Sequence, residues 1–377
     1  MDSHKQLFSL SCLPLLLLLL SGNMGMQLSE ARLQRHEMNY YSPKTLFVFG
    51  DSYVDTGNYR INQAGSSWKN PYGETFPGKP AGRFSDGRVL TDYIGAFITI
   101  SPVLAGLLHF VRKTKYLGLK SPVPYKFRKV MQQHLKYGMN FAFGGTGVFD
   151  TSSKNPNMTI QIDFFKQLIK ENVYTTSDLN NSVVYVSVAG NDYNFYLATN
   201  GSIEGFPAFI ASVVNQTATN LLRIKSLGVR KIVVGGLQPL GCLPSSTATS
   251  SFQQCNSTSN DLVVLHNNLL NQAVTKLNQQ TNKDNSTFIV LDLFDTFTSV
   301  LNHPSTNNIK DPLKPCCVGL SSQDFCGKVD ENNVKQYKVC DSPKSAFFWD
   351  NLHPTQAGWE AVYKKLQKTS ALHQIRY

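Results

Sequence analysis

Between Asp92 and Asp150 the chain has no acidic residue, and between Cys12 and Cys242 it has no cysteine. It also lacks internal repeats, a long linker, and any apolar run close to the ~20 residues that a membrane span needs. No C-x-x-C pair and no nearby His-x-x-x-His accompanies the cysteines, which excludes the usual zinc arrangements. No zinc finger, RNP-like motif or basic helix with base-reading residues is present, so the net charge of +11 does not point to nucleic acid. Eight of the eleven excess charges fall between Arg112 and Lys136, within the stretch that has no acids. Such a patch reads first as a solvated face and second as a contact for an anionic surface or wall polymer.

The 377 residues, 41% hydrophobic and 11% aromatic, suffice for one large core and argue against global disorder. Residues 1–25 read as a secretory signal: a short polar start with Lys5, the apolar run LFSLSCLPLLLLLL broken by Pro14, then small residues. A short segment, 26–43, follows, and 44–372 reads as a single domain. Cys12 leaves with the signal. The other six (Cys242, Cys255, Cys316, Cys317, Cys326 and Cys340) lie in the last two fifths of the chain, in loops rich in Pro, Ser and Gly. In an oxidising compartment they can form up to three disulfides, among about 15 pairings that the sequence leaves open. Six N-x-[ST] sequons, at Asn157, Asn180, Asn200, Asn215, Asn256 and Asn285, fit a glycosylated protein. The expected location is therefore extracellular, in the apoplast or cell wall, with no membrane span after the signal is removed and with a monomer as the expected state.

The mature chain alternates strand-like and helix-like segments. TLFVFG (45–50), MNFAFGG (139–145), VVYVSVAGND (183–192), KIVVGG (231–236) and TFIVLDLF (287–294) are short apolar runs closed by Gly, Asn or Asp. Such runs fit strands buried on both faces. Leu262, Leu265, Leu269, Ala273 and Leu277 recur at helical spacing, 160–169 behaves similarly, and TQAGWEAVYKKLQK reads as a final helix. The alternation predicts an α/β fold, a doubly wound parallel sheet of about five strands with helices on both faces. Right-handed crossovers then put all strand carboxyl ends, and their polar loops, on one edge.

At the first of these ends stands Gly50-Asp51-Ser52. A serine here is either a helix cap or a nucleophile, and a nucleophile needs a base with its own orienting group. FFWDNLHPTQAGW supplies both: Asp350 stands three residues before His353 in one turn. The rival His303 has no acid nearer than Asp295 or Asp311, and Glu74 and Asp92 have no histidine beside them. An oxyanion needs donors in place. The candidates are the Ser52 amide at the start of a helix, a glycine amide of FGGTG (Gly145, with Gly144 second), and the Asn191 side chain in AGND. Asp51 reads as a brace for the turn. Val54 stands where a G-x-S-x-G elbow has its second glycine, so the α/β-hydrolase elbow does not fit.

FVFGDSYVDTGN, the GG of NFAFGGTGV, the Asn of VAGND and DNLHP of FFWDNLHPTQAG together resemble, in order, the plant GDSL esterase/lipase family of the SGNH hydrolases. PYGETFPGKPAGRFSDGRVLTDYI and PLGCLP are similar to family segments as well, and the resemblance runs from about Lys44 to Lys368. It implies a flavodoxin-like three-layer α/β/α sandwich that hydrolyses carboxylic esters without metal or cofactor. By the same resemblance Ser52 is the nucleophile, His353 and Asp350 are the base and acid, and Ser52, Gly145 and Asn191 form the oxyanion hole. Its substrates would be lipids, acetylated polysaccharides or small esters, and lipid catabolism is one setting. Acyl transfer to a sugar or alcohol uses the same residues, and a binding protein without turnover is the reading from another class. One departure is the stretch 97–117, about 20 residues longer than the family's FLGL-like passage; it reads as a lid or a membrane-touching element, or, the preferred reading because it interrupts an otherwise continuous match, as an intron retained in the gene.

Overall fold

The structure is a computed structural model that describes residues 43–62, 65, 67–99, 121–281 and 287–375. The expected signal segment, nearly all of 26–43, the 97–117 stretch beyond Thr99, and the Asn285 sequon lie outside the described residues.

Six parallel strands form the main sheet: β1 (Thr45–Gly50), β2 (Val123–Pro124), β3 (Gly138–Asn140), β4 (Ser182–Ser187), β5 (Lys231–Gly235) and β6 (Phe288–Leu291). Their order is β2-β3-β1-β4-β5-β6. Without the two-residue edge strand β2, this is the flavodoxin-like order, in which the chain reverses its direction of travel across the sheet between β1 and β4. Open α/β sheets bind ligands beyond the carboxyl ends of the strands at such a reversal. β1 and β4 are buried over their whole length, as their continuous apolar runs require.

The described helices are α1 (Leu90–Thr99), α2 (Met158–Lys170), α3 (Thr176–Asn180), α4 (Gly190–Ala198), α5 (Phe206–Ser226), α6 (Pro244–Thr247), α7 (Ser257–Thr281), α8 (Leu293–Asn302), α9 (Gln356–Leu366) and α10 (Ser370–Gln374). Alternate strand residues Phe47, Phe49, Val184, Val186, Ile232 and Val234 join one core with side chains of α2, α5 and α7. The second helical layer contains α1, α8, α9 and α10, with α9 packed on both α1 and α8. Local chemistry starts several helices: Asn157 caps α2, Thr175 and Asp178 close a capping box on α3, Asp292 caps α8 and Thr355 caps α9.

The structure departs from the sequence reading in three places. The sheet has a sixth strand, β2, too short to show a pattern and ending in the proline that edge strands tolerate. The second expected strand stops at Asn140, because the Asn140 side chain turns to bond Val54 O and Thr56 Oγ1. Phe141 and Phe143 still donate to Val48 O and Gly50 O, so the following loop runs on beside β1. No regular helix follows Ser52: Asp51–Asp55 make one helical turn, closed by Asp55 N donating to Asp51 O at 3.0 Å. Asp55 then gathers the amides of Gly57, Asn58 and Tyr59 and redirects the chain.

The cysteines pair as Cys242–Cys255, Cys316–Cys340 and Cys317–Cys326. The last two staple a loop region around a small antiparallel ribbon, β7 (Cys317–Gly319) and β8 (Tyr337–Val339). This region shares a second core with Tyr72, Phe84 and Trp349. The sequons at Asn180, Asn200, Asn215 and Asn256 are exposed. Asn157 is half-buried: its Oδ1 caps α2 and its Nδ2 donates to Asp150. No described helix is long and apolar enough to cross a membrane.

Candidate active site

β1 ends at Gly50, whose φ of +146° and tight packing require glycine: a Cβ there would stand 2.0 Å from Ser187 O of β4. The buried Gln161 of α2 fixes this residue from the other side, accepting from Gly50 N and donating to Gly50 O, both at 2.9 Å. The turn that follows carries Ser52 to the edge of the sheet between the ends of β1 and β4. Asp51 braces the turn by accepting from Tyr53 N at 3.0 Å.

Ser52 meets residues from the far end of the chain. Its Oγ lies 2.7 Å from His353 Nε2, and His353 Nδ1 is 2.9 Å from both oxygens of Asp350. With the carboxylate at Nδ1, the imidazole carries its proton there, and Nε2 is left to accept from the Ser52 hydroxyl. All three residues are buried. Burial alone would raise Asp350, but the His353 charge and donated hydrogen bonds from His353 and Leu352 outweigh it and hold the carboxyl below its ordinary value. Phe84 stacks on the imidazole, with centroids 5.0 Å apart at 28°. Tyr53 OH donates to Leu352 O and ties the Asp350–His353 loop to the Ser52 turn.

The donor candidates separate on their hydrogen bonds. Gly144 N donates to Asp55 Oδ2 at 3.0 Å and is therefore engaged. Among the described residues, the amides of Ser52 and Gly145 donate to no acceptor, and Gly145 holds the left-handed φ of +76° that turns its peptide away from its neighbour's. Asn191, in the first turn of α4, uses one Nδ2 hydrogen to bond Thr146 O at 2.9 Å, and the second remains. Asn191, Ser52 and His353 line one small cavity of about 30 Å³, with Leu237, Leu240, Leu243 and Leu352 as its apolar wall.

Other histidines and acids singled out in the sequence lie elsewhere in the fold. His303 is exposed at the end of α8, and Asp92 is taken up by a partly buried two-bond pair with Arg83. Four residues that support the site were not recognised from sequence: Gln161, Asp55, Phe84 and Tyr72, the last of which donates to Asp350 Oδ2 at 2.8 Å. Their partners are distant in sequence, and no local spacing marks them.

The chain matches the GDSL-like lipase/acylhydrolase family over residues 46–366. It is 51% identical over 346 residues to GDSL esterase/lipase At5g03610 of Arabidopsis thaliana, covering 90% of each chain. It is 47% identical over 342 residues to GDSL esterase/lipase At3g09930 of the same plant, covering 89% of this chain and 90% of the relative. The chain belongs to the GDSL lipase/acylhydrolase family. It is an ester-bond hydrolase with the α/β/α sandwich that the family resemblance implies.

In this GDSL hydrolase, Asp51 gives the site a pH-sensitive element. Burial pushes its carboxyl up to about 7, against the Tyr53 amide and the His353 charge, which lower it; Asp192 and Asp55 add to the rise. The group therefore stays protonated in the folded protein at pH values where the unfolded chain has released the proton. Its stabilising contribution is complete below about pH 4 and is lost as pH rises through about 7. Asp51→Asn mimics the neutral acid and keeps the acceptor for Tyr53 N. Between pH 5 and pH 8 the variant should gain about 2 to 3 kcal/mol relative to wild type. Urea unfolding at the two pH values measures this, and parallel stability curves would refute it.

Proposed function

We propose that this hydrolase is a secreted serine esterase that works through an acyl-enzyme on Ser52. The observation that supports it most is the unbroken chain of bonds Ser52–His353–Asp350, assembled at the topological reversal of the sheet. In this reading His353 Nε2 takes the Ser52 proton as Oγ adds to the ester carbonyl. The developing oxyanion accepts from the free amides of Ser52 and Gly145 and from the second Nδ2 hydrogen of Asn191. Each such donor lowers the barrier by about 3 to 4 kcal/mol. The imidazolium then protonates the departing alkoxide, and the alcohol leaves. Water, deprotonated by the same Nε2, adds to the acyl carbonyl and releases the acid, with the proton returning to Ser52. Asp350 keeps the imidazole in the tautomer that both steps need. Three disulfides and four exposed sequons among the described residues support secretion with N-glycans.

The cavity beside Ser52 also bears on acyl length. At about 30 Å³, the cavity between Val188, Leu237, Leu240, Leu243 and Leu352 is too small to enclose a decanoyl chain. The acetyl and butyryl esters of nitrophenol should therefore be hydrolysed with a kcat/KM at least tenfold above the decanoyl ester. Preference for the long chain would overturn the acyl-length reading, and failure to hydrolyse any ester of the panel would overturn the esterase reading itself.

A further inference from the structure

Asp350 is held by more than its histidine. Its Oδ1 accepts from the amides of Leu352 and His353, both at 2.8 Å, and shares His353 Nδ1. Among the described residues, its Oδ2 has two donors, His353 Nδ1 at 2.9 Å and the phenol of Tyr72 at 2.8 Å. Tyr72 comes from the PYGETFP segment, 278 residues earlier in the chain. Its ring is fixed edge-on against Trp349 and Phe84, the neighbours of Asp350 and His353 respectively, in the core that the Cys316–Cys340 and Cys317–Cys326 disulfides staple. Tyr72 is buried and stays a phenol: burial and the Asp350 charge both push its proton loss far upward. It does not line the cavity at Ser52.

We propose that Tyr72 is a positioning residue for the Asp350–His353 pair, an inference that rests on the serine-esterase reading above. The two backbone amides pin one carboxylate oxygen, and the phenol pins the other. The carboxylate plane is thereby locked so that it faces Nδ1. Without the phenol, Oδ2 loses a buried donor and the side chain can turn about χ2, which lets the imidazole swing off the Ser52 proton. The carboxylate, less well solvated, also holds the shared proton of the pair more tightly.

Tyr72→Phe keeps the ring and removes only the hydroxyl. With a nitrophenyl ester as probe, kcat should fall by about tenfold or more while KM stays within about twofold, because the lost bond is to a charged group outside the substrate cavity. The acidic limb of the pH dependence of kcat/KM should move to higher pH. In an Asp350→Asn background the same change should cost nothing further, since its route of action is gone. Tyr337→Phe perturbs the same aromatic core without a bond to Asp350 or His353 and should leave kcat and the pH profile as in wild type. The proposal fails if Tyr72→Phe has wild-type kcat and pH profile, or if its effect persists undiminished in Asp350→Asn. Those outcomes leave the parent reading intact as long as Ser52→Ala and His353→Ala are inactive. If these two variants stay active, the esterase mechanism itself is refuted.

Discussion

Replacing Ser52 by alanine should lower kcat by about 10⁶-fold, leaving only the contribution of the oxyanion donors and substrate binding. The size follows from how the hydroxyl is used. Among the described residues that line the cavity, no other hydroxyl is hydrogen-bonded to a histidine, so on the proposed mechanism the variant has no second route to an acyl-enzyme. The fold should be almost indifferent to the change. The Ser52 hydroxyl bonds His353 Nε2, the orphaned nitrogen faces the cavity where water reaches it, and the turn depends on Gly50, Gln161 and Asp51 instead. Stability within about 1 kcal/mol of wild type is therefore expected alongside the collapse of rate. Assays over a long time base and urea unfolding on the same preparation give both numbers. A variant with a tenth of wild-type activity would show that Ser52 is not the nucleophile.

The second large effect concerns Asp350→Asn. Two backbone amides donate to Oδ1, so the oxygen of the new carboxamide must occupy that position. Its NH₂ then takes the place of Oδ2, opposite His353 Nδ1 and beside the Tyr72 phenol. The carboxamide oxygen already holds both backbone amides, so the NH₂ facing Nδ1 favours an imidazole that accepts there and carries its proton on Nε2, where it cannot take a proton from Ser52. The wrong tautomer costs about 10⁴-fold in kcat at neutral pH in triads of this kind. The phenol can reverse its role and accept from the NH₂, and both backbone bonds survive, so the protein should fold normally. A kcat within tenfold of wild type would mean that the orientation of His353 does not depend on Asp350.

How much of this was legible beforehand depended on whether the determining contacts were local. The core strands announce themselves because a strand covered on both faces must be apolar throughout, as TLFVFG and SVVYVS are. β2 gives no such signal, since two residues have no period and its place at the edge is decided by β3. Asp350 and His353 were readable as a pair because three residues and one turn separate them. Tyr72 was not, because its partner lies across the fold. Which of the Gly144 and Gly145 amides is already engaged was also closed to sequence. It turns on Asp55, which captures the Gly144 amide from a loop 89 residues away. The disulfide pairing, one among about 15 arrangements, is likewise set by which loops the small ribbon brings together. The helix expected after Ser52 failed for a reason of the same kind: Asp55 gathers the next amides into a loop instead.

The most direct measurement is the site of covalent capture. Treatment of the purified protein with an organophosphonate ester, followed by intact mass and peptide mapping, should give one adduct per chain, on the peptide that contains Ser52, and none on Ser52→Ala. An adduct on another residue, or an unmodified protein that still hydrolyses esters, would contradict the account.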